Sequence, residues 1–171
     1  PRAIPGLITV LEDKKQEPMV RHEAAQALGA IGCPEVVEIL EKYRNDAVIE
    51  VAQNCELALE RIKWMQTKSI KEDLPKNPYL SVDPAPPAAL CEVDELKKVL
   101  LNENASLFDR YRAMFSLRNL RTKEVVLALG EGLKCQSALF RHEIAFVLGQ
   151  LQDTNSIPFL KCSLEDGSEN E

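Results

Sequence analysis

The chain has 171 residues, a formal net charge of −6, 45% hydrophobic and 5% aromatic residues; it is long enough for a substantial core, and scarce aromatics with plentiful Leu, Ala and Glu favour helix over strand. The acidic balance argues against nucleic acid as a partner, and no apolar run reaches the length of a membrane span. The five cysteines, Cys33, Cys55, Cys91, Cys135 and Cys162, are odd in number and show no C-x-x-C pair, which disfavours a disulfide framework or zinc ribbon and suits reduced thiols in the cytoplasm.

The first amphipathic stretch, "IPGLITVLED" at 4–13, reads as a helix and leads into "VRHEAAQALGAIG" at 20–32. Gly29 and Gly32 lie near the end of that second helix, and Pro34 suits the first turn of the next, "PEVVEILEKYRND". "VAQNCELALERI" at 51–62 follows the first Arg-His-Glu helix in the same frame, 31 residues on, with Gln53-Asn54 at the His-Glu position. Residues 66–92 carry Pro75, Pro78, Pro84, Pro86 and Pro87, which no helix interior accepts, and read as a tether between two halves. After it come "RYRAMFSLRNL" at 110–120, "EVVLALGEGLKC" at 124–135, "FRHEIAFVLGQLQ" at 140–152 and "IPFLKCSLED" at 157–166. The RYR copy has Tyr111-Arg112 where its neighbour 31 residues later has His142-Glu143.

The pattern predicts an all-α chain, an α-solenoid of HEAT-like helical hairpins in two halves joined by a proline-rich linker. The expected divisions are 1–65, linker 66–92 and 93–171. A second offset, 153, aligns residues 4–17 with 157–170 at six identities in fourteen. In the first copy the aligned segment leads into a His-Glu helix; in the second it follows one. The repeat therefore predicts a further His-Glu helix with its His near position 175, and another about eleven residues before Pro1. The chain opens Pro1-Arg2 without Met and reads as the middle of a duplicated parent.

The only two histidines, His22 and His142, each sit between Arg and Glu. Neither belongs to an H-E-x-x-H motif, and no G-x-G-x-x-G, Walker A or G-x-S-x-G signature is present. Adjacent helical residues point about 100° apart, so His and Glu can both border one groove. Four such dyads would gather imidazoles and carboxylates without thiolates, a set suited to iron, manganese or zinc. Two metals would activate oxygen or, in a hydrolase, water. The plainer readings are a solvated ion pair copied with the repeat, and a non-catalytic HEAT scaffold that binds a protein on its concave face.

"EPMVRHEAAQALGAIG", "NPYLSVDPAPPA", "RYRAMFSLRNL" and "SALFRHEIAFVLGQLQ" closely resemble the deoxyhypusine hydroxylases, HEAT-repeat di-iron monooxygenases, in order and over essentially the whole chain. The resemblance implies a cytoplasmic enzyme holding two Fe(2+) per intact parent chain on four His-Glu motifs, two in each half. It implies O2-dependent hydroxylation, with an external reductant, of the deoxyhypusine side chain of eukaryotic translation initiation factor five-A to hypusine. Carried over by position, His22, Glu23 and His142 are expected as iron ligands. Glu143 is expected as a ligand or as a carboxylate that takes a substrate amine. Arg21 and Arg141 are expected to neutralise carboxylates or pack, and Met19 to be a core methionine rather than a substrate contact. With half the dyads, the chain alone is expected to be inactive.

Overall fold

The computed structural model describes residues 2–67, 77–89 and 92–169; the expected linker residues 68–76, with Pro75, and residues 90–91, with Cys91, lie outside the described residues. In chain order the helices are α1 Ile4–Glu12, α2 Pro18–Ile31, α3 Val37–Tyr43, α4 Ile49–Thr67, α5 Val93–Leu101, α6 Leu107–Leu120, α7 Lys123–Gly132, α8 Ala138–Leu151 and α9 Ile157–Glu165. No strand occurs among the described residues, so the all-α, HEAT-like expectation holds. None of these helices is long and apolar enough to cross a membrane. Cys33, Cys55, Cys135 and Cys162 are free thiols, and burial pushes the Cys55 thiol up to about 12, which makes it inert.

Two compact units result, one of Pro1–Glu72 with Val82–Ala85, the other of Asp73–Ser81 with Pro86–Glu171. In the first unit, α1 with α2 and α3 with α4 form successive hairpins. Their facing stripes bury Leu11, Ala25, Leu28, Val36, Leu40, Val51, Cys55 and Ile62 in one core. Pro18 opens α2, where a missing N–H costs nothing, and Gly32 ends it in the left-handed conformation. Pro34 starts a short 3-10 turn, Pro34–Val36, that leads into α3.

Gly29 is not an end signal. It lies inside α2, where a Cβ would come within 2.6 Å of the Ala58 Cβ on α4. The two helices therefore meet at backbone distance. Gly149 holds the same place in α8, and nothing lies within 4 Å of its would-be Cβ.

In the second unit, α5 with α6 and α7 with α8 repeat the hairpin, and α9 follows α8 through a second 3-10 turn, Thr154–Ser156. Leu96, Leu100, Tyr111, Met114, Phe115, Val125, Leu129, Phe140, Ile144 and Val147 are buried. The repeat shows in its turns as well. After α1, α3, α5 and α9 an Asx oxygen accepts from the backbone N–H two residues on: Asp13 from Lys15, Asp46 from Val48, Asn102 from Asn104 and Asp166 from Ser168, all at 2.9–3.0 Å.

The described part of the proline-rich stretch is fastened to α6 rather than hanging free. Arg112 donates to the Pro86 and Pro87 carbonyls at 3.3 and 3.4 Å, and Ser116 Oγ donates to the Ala88 carbonyl at 3.0 Å. The Ala88 N–H returns a bond to the Arg112 carbonyl at 3.2 Å. Arg118, fully buried, donates to Asn77 Oδ1 at 3.0 Å and lies against the Tyr79 and Phe115 rings. The RYR copy, read from sequence as a lost dyad, has put an arginine at the Glu position to hold this segment.

The Gly29 contact yields a paired test. Gly29→Ala is expected to destabilise the chain by about 1–3 kcal/mol through overpacking. Gly149→Ala, free of a neighbour in this chain, is expected to be neutral or to stabilise it by up to about 1 kcal/mol through helix propensity. Denaturant unfolding of both variants measures the difference.

Candidate functional site

The two dyads lie on equivalent turns of α2 and α8, one in each unit. In each, the preceding arginine is structural. Arg21 Nε donates to the Leu11 carbonyl at 3.0 Å, and its Nη1 and Nη2 take the Asp46 carboxylate at 3.2 and 2.6 Å. Arg110 makes the same clamp in α6, from Nε to the Leu100 carbonyl at 3.0 Å, with Glu103 as its carboxylate at 2.6 Å. Arg141 pairs with Glu169 at 2.6 Å and donates to the Cys135 and Gln136 carbonyls. These guanidiniums fix the turn that precedes each helix to the helix itself. That leaves the His and the Glu as the groups with chemistry to offer.

The dyads are covered from opposite sides. His22 is 5% exposed and Glu23 is exposed, whereas His142 is exposed and Glu143 is 7% exposed. The cause is the direction of the neighbour. α2 packs on α4, which follows it; α8 packs on α6, which precedes it. His thus lies on the side of the next repeat and Glu on the side of the previous one. On α8 the covered side carries Phe140, whose ring meets Tyr111 of α6 at 5.3 Å and the Arg110 guanidinium at 4.4 Å.

On α2 the covered side carries a close polar contact of the imidazole. The Asn54 side-chain amide nitrogen lies 2.8 Å from His22 Nδ1, with both residues buried. Asn54 occupies the Glu position of α4, so a residue first read as a departure from the dyad touches the dyad before it. Sequence alone gave its register but not its partner, because only the Gly29–Ala58 approach brings it within reach. Met19, expected in the core, is 41% exposed because it lies in the first turn of α2, beyond the stripe that meets α1 and α4. His142 borders a groove of about 490 Å3 with Arg141, Ala145, Leu160, Leu164 and Glu169, and no residue of α9 is buried.

Donor type and donor number give different answers for a metal. Imidazole and carboxylate are sound ligands for iron, and neither dyad competes with a thiolate. Yet among the described residues no group of three or more His, Cys, Asp or Glu side chains stands ready to hold an ion. Each unit offers one dyad, which is too few for six-coordinate iron.

Residues 1–60 match the HEAT repeat family model, and residues 109–135 and 140–166 match that of the PBS lyase HEAT-like repeat. The chain is similar to the deoxyhypusine hydroxylase of Drosophila melanogaster, 61% identical over 99% of this chain and 56% of the fly protein. It is 56% identical to the Homo sapiens deoxyhypusine hydroxylase over 99% of this chain and 55% of that protein. A solved structure of human deoxyhypusine hydroxylase in complex with glycerol superposes with a TM-score of 0.94 at 56% identity, over 99% of this chain and 58% of that one. The chain therefore spans about half the length of the curated relatives it matches.

The Arg21–Asp46 pair, with side chains 3% and 6% exposed, carries a stability prediction. The Arg21 hydrogen bond and then the Val48 N–H outweigh burial and hold the Asp46 carboxyl below its ordinary 3.8. A carboxyl that binds protons more weakly folded than unfolded contributes stability above its unfolded pKa, and that contribution is lost as pH falls through its folded pKa. Asp46→Ala is expected to cost about 3–5 kcal/mol at neutral pH by stranding a buried guanidinium. The gap between variant and parent should narrow in unfolding curves taken below about pH 4.

Proposed function

Because the chain belongs to the deoxyhypusine hydroxylase family, we propose that it supplies two of four His-Glu dyads to the site of a di-iron monooxygenase. The full-length protein hydroxylates the deoxyhypusine side chain of the deoxyhypusine form of eukaryotic translation initiation factor five-A, using molecular oxygen and an external reductant. The observation that carries this reading is the placement of both dyads. In a chain with two histidines, each follows a clamped arginine at one register of a repeated helix, and each has one member buried and one exposed.

The irons, when bound, supply the activation of oxygen. The chain's own residues supply position. His22 and Glu23, 100° apart on α2 to a first approximation, face successive repeats, so one dyad borders both the repeat before it and the repeat after it. His142 and Glu143 do the same on α8. Glu143 is the residue of choice for holding a substrate amine beside the site, should His142 and Glu23 complete the coordination with dyads elsewhere in the protein. The net charge of −6 favours approach of a side chain that carries amines. Free thiols and the family's reaction on a translation factor suit the cytoplasm. The expected linker 66–92 retains its proposed role of joining the halves, now with α6 as the anchor of its described part.

The test uses the full-length protein. His22→Ala and His142→Ala are each expected to lower bound iron and hydroxylation together, by at least about 100-fold in turnover. Full activity and full iron content after either substitution removes that residue from the site. The 171-residue chain alone is expected to give no detectable turnover on the deoxyhypusine protein, and robust turnover by it overturns the four-dyad reading.

A further inference from the structure

We propose that Leu80, at the tip of a braced loop, is a contact for the protein substrate and so a specificity-determining residue of the reaction. The proposal rests on the substrate reading given above and draws on no metal.

Among the described residues three non-glycine side chains stand on left-handed backbone: Leu80, Arg121 and Gln152, at φ of 54°, 56° and 53°. Arg121 and Gln152 are the C-caps of α6 and α8, where that conformation is a common way to end a helix. Leu80 ends no helix. A Cβ makes the conformation costly, and glycine or asparagine is its usual occupant. Leu80 is also 92% exposed, so its side chain gains little packing to offset the strain. An exposed leucine alone is ordinary. An exposed leucine on strained backbone points to a use for the tip.

The loop is not slack. Asn77 Oδ1 accepts the Tyr79 N–H at 2.9 Å, and Asn77 Nδ2 donates to the Ser81 carbonyl at 3.0 Å and to Ser81 Oγ at 3.1 Å. Asn77 thus closes the turn that carries Leu80. Arg118, fully buried on α6, donates to the same Oδ1 at 3.0 Å. The Tyr79 ring centroid lies 4.7 Å from the Arg118 guanidinium and 5.8 Å from that of Arg121. An apolar tip held this firmly loses little freedom when it docks, and that saving favours binding.

The place of the loop selects its occupant. Arg118 Nη1 also donates to Gln150 Oε1 at 3.1 Å, which ties the support of the loop to the last turn of α8. Gln150 follows His142 by little more than two turns of that helix, about 12 Å along the axis. A protein that presents one side chain at the dyad covers a patch of roughly 800 Å2 around it, wide enough to reach the loop. The occupant is therefore the substrate protein, with an apolar hollow facing Leu80.

The test uses the full-length protein and the deoxyhypusine form of eukaryotic translation initiation factor five-A. Leu80→Asn, a residue suited to left-handed backbone, is expected to weaken binding of that protein about 10-fold and to raise KM about as much, with kcat within about twofold of the parent. Its unfolding midpoint should hold or rise, because the strain is relieved. Leu80→Met keeps an apolar tip and should bind within about threefold of the parent. Parent-like binding and KM in Leu80→Asn overturn the proposal, as does a fall in kcat at unchanged KM. A lower unfolding midpoint in Leu80→Asn assigns Leu80 to a contact within its own chain and overturns it too. Leu80→Met as weak as Leu80→Asn has the same consequence. If the unsubstituted protein neither binds nor turns over the factor, the substrate reading itself fails and the proposal falls with it.

Discussion

The close approach of α2 and α4 governs the first unit. Gly29 and Ala58 let two helix backbones come nearer than any larger pair would, since a Cβ on Gly29 would stand 2.6 Å from that of Ala58. Two turns N-terminal to Gly29 lies His22, and one turn N-terminal to Ala58 lies Asn54. The contact between glycine and alanine therefore sets the distance between imidazole and amide. A small-residue seam and a polar contact are here one device. The core residues around it, Ala25, Leu28, Val51 and Cys55, fill the space that this separation leaves.

Each helical copy has kept its frame and changed its use. In α2 and α8 the two positions after the clamping arginine are His and Glu. In α4, where Ala52 stands at the arginine's place, the same positions are Gln53 and Asn54, and Asn54 turns to the ring of the copy before it. In α6 they are Tyr111 and Arg112; the tyrosine ring packs on Phe140, and the arginine holds the Pro86 and Pro87 carbonyls. The two copies without a dyad are thus supports, one for an imidazole and one for the segment that enters the second unit. Divergence within a repeat array is constrained in this way because each copy meets only its neighbours.

Much of the fold was legible because repeat frames are periodic. The offset of 31 located α4 from α2 and α6 from α8, and the offset of 153 paired α1 with α9; both helices begin at Ile-Pro and end at an Asp whose oxygen closes an Asx turn. What sequence missed has a common physical cause. Gly29 reads by its local preference as a helix end, but its use is an interhelical contact about one repeat's worth of chain away. Met19 was read as core from its chemistry, although the first turn of α2 lies outside the buried stripe. The proline-rich segment was read as a tether because prolines forbid helix, yet the same prolines leave carbonyls free for Arg112. Asn54 was counted as a missing dyad because identity, not neighbourhood, was compared.

The tripeptide Arg-His-Glu divides three tasks among three adjacent side chains, and adjacency is what the geometry requires. Residues three or four apart would stack on one helix face and meet one neighbour. Residues side by side diverge, and in a stack of parallel-packed repeats they address the repeat behind and the repeat ahead. The burial pattern agrees with this: His22 is buried against Asn54 of α4, which follows α2, while Glu143 is buried on α8, which packs on the preceding α6. Consecutive dyads built on this plan would set the Glu of one copy beside the His of the copy before it, so that ligands from two helices converge where no single helix could supply them. The arginine belongs on the remaining side, tied to a carbonyl ten residues back in α2 and α6 and to a carboxylate in all three clamped helices. By fixing the entry turn to the helix, it sets the rotation about the helix axis on which the two outward directions depend.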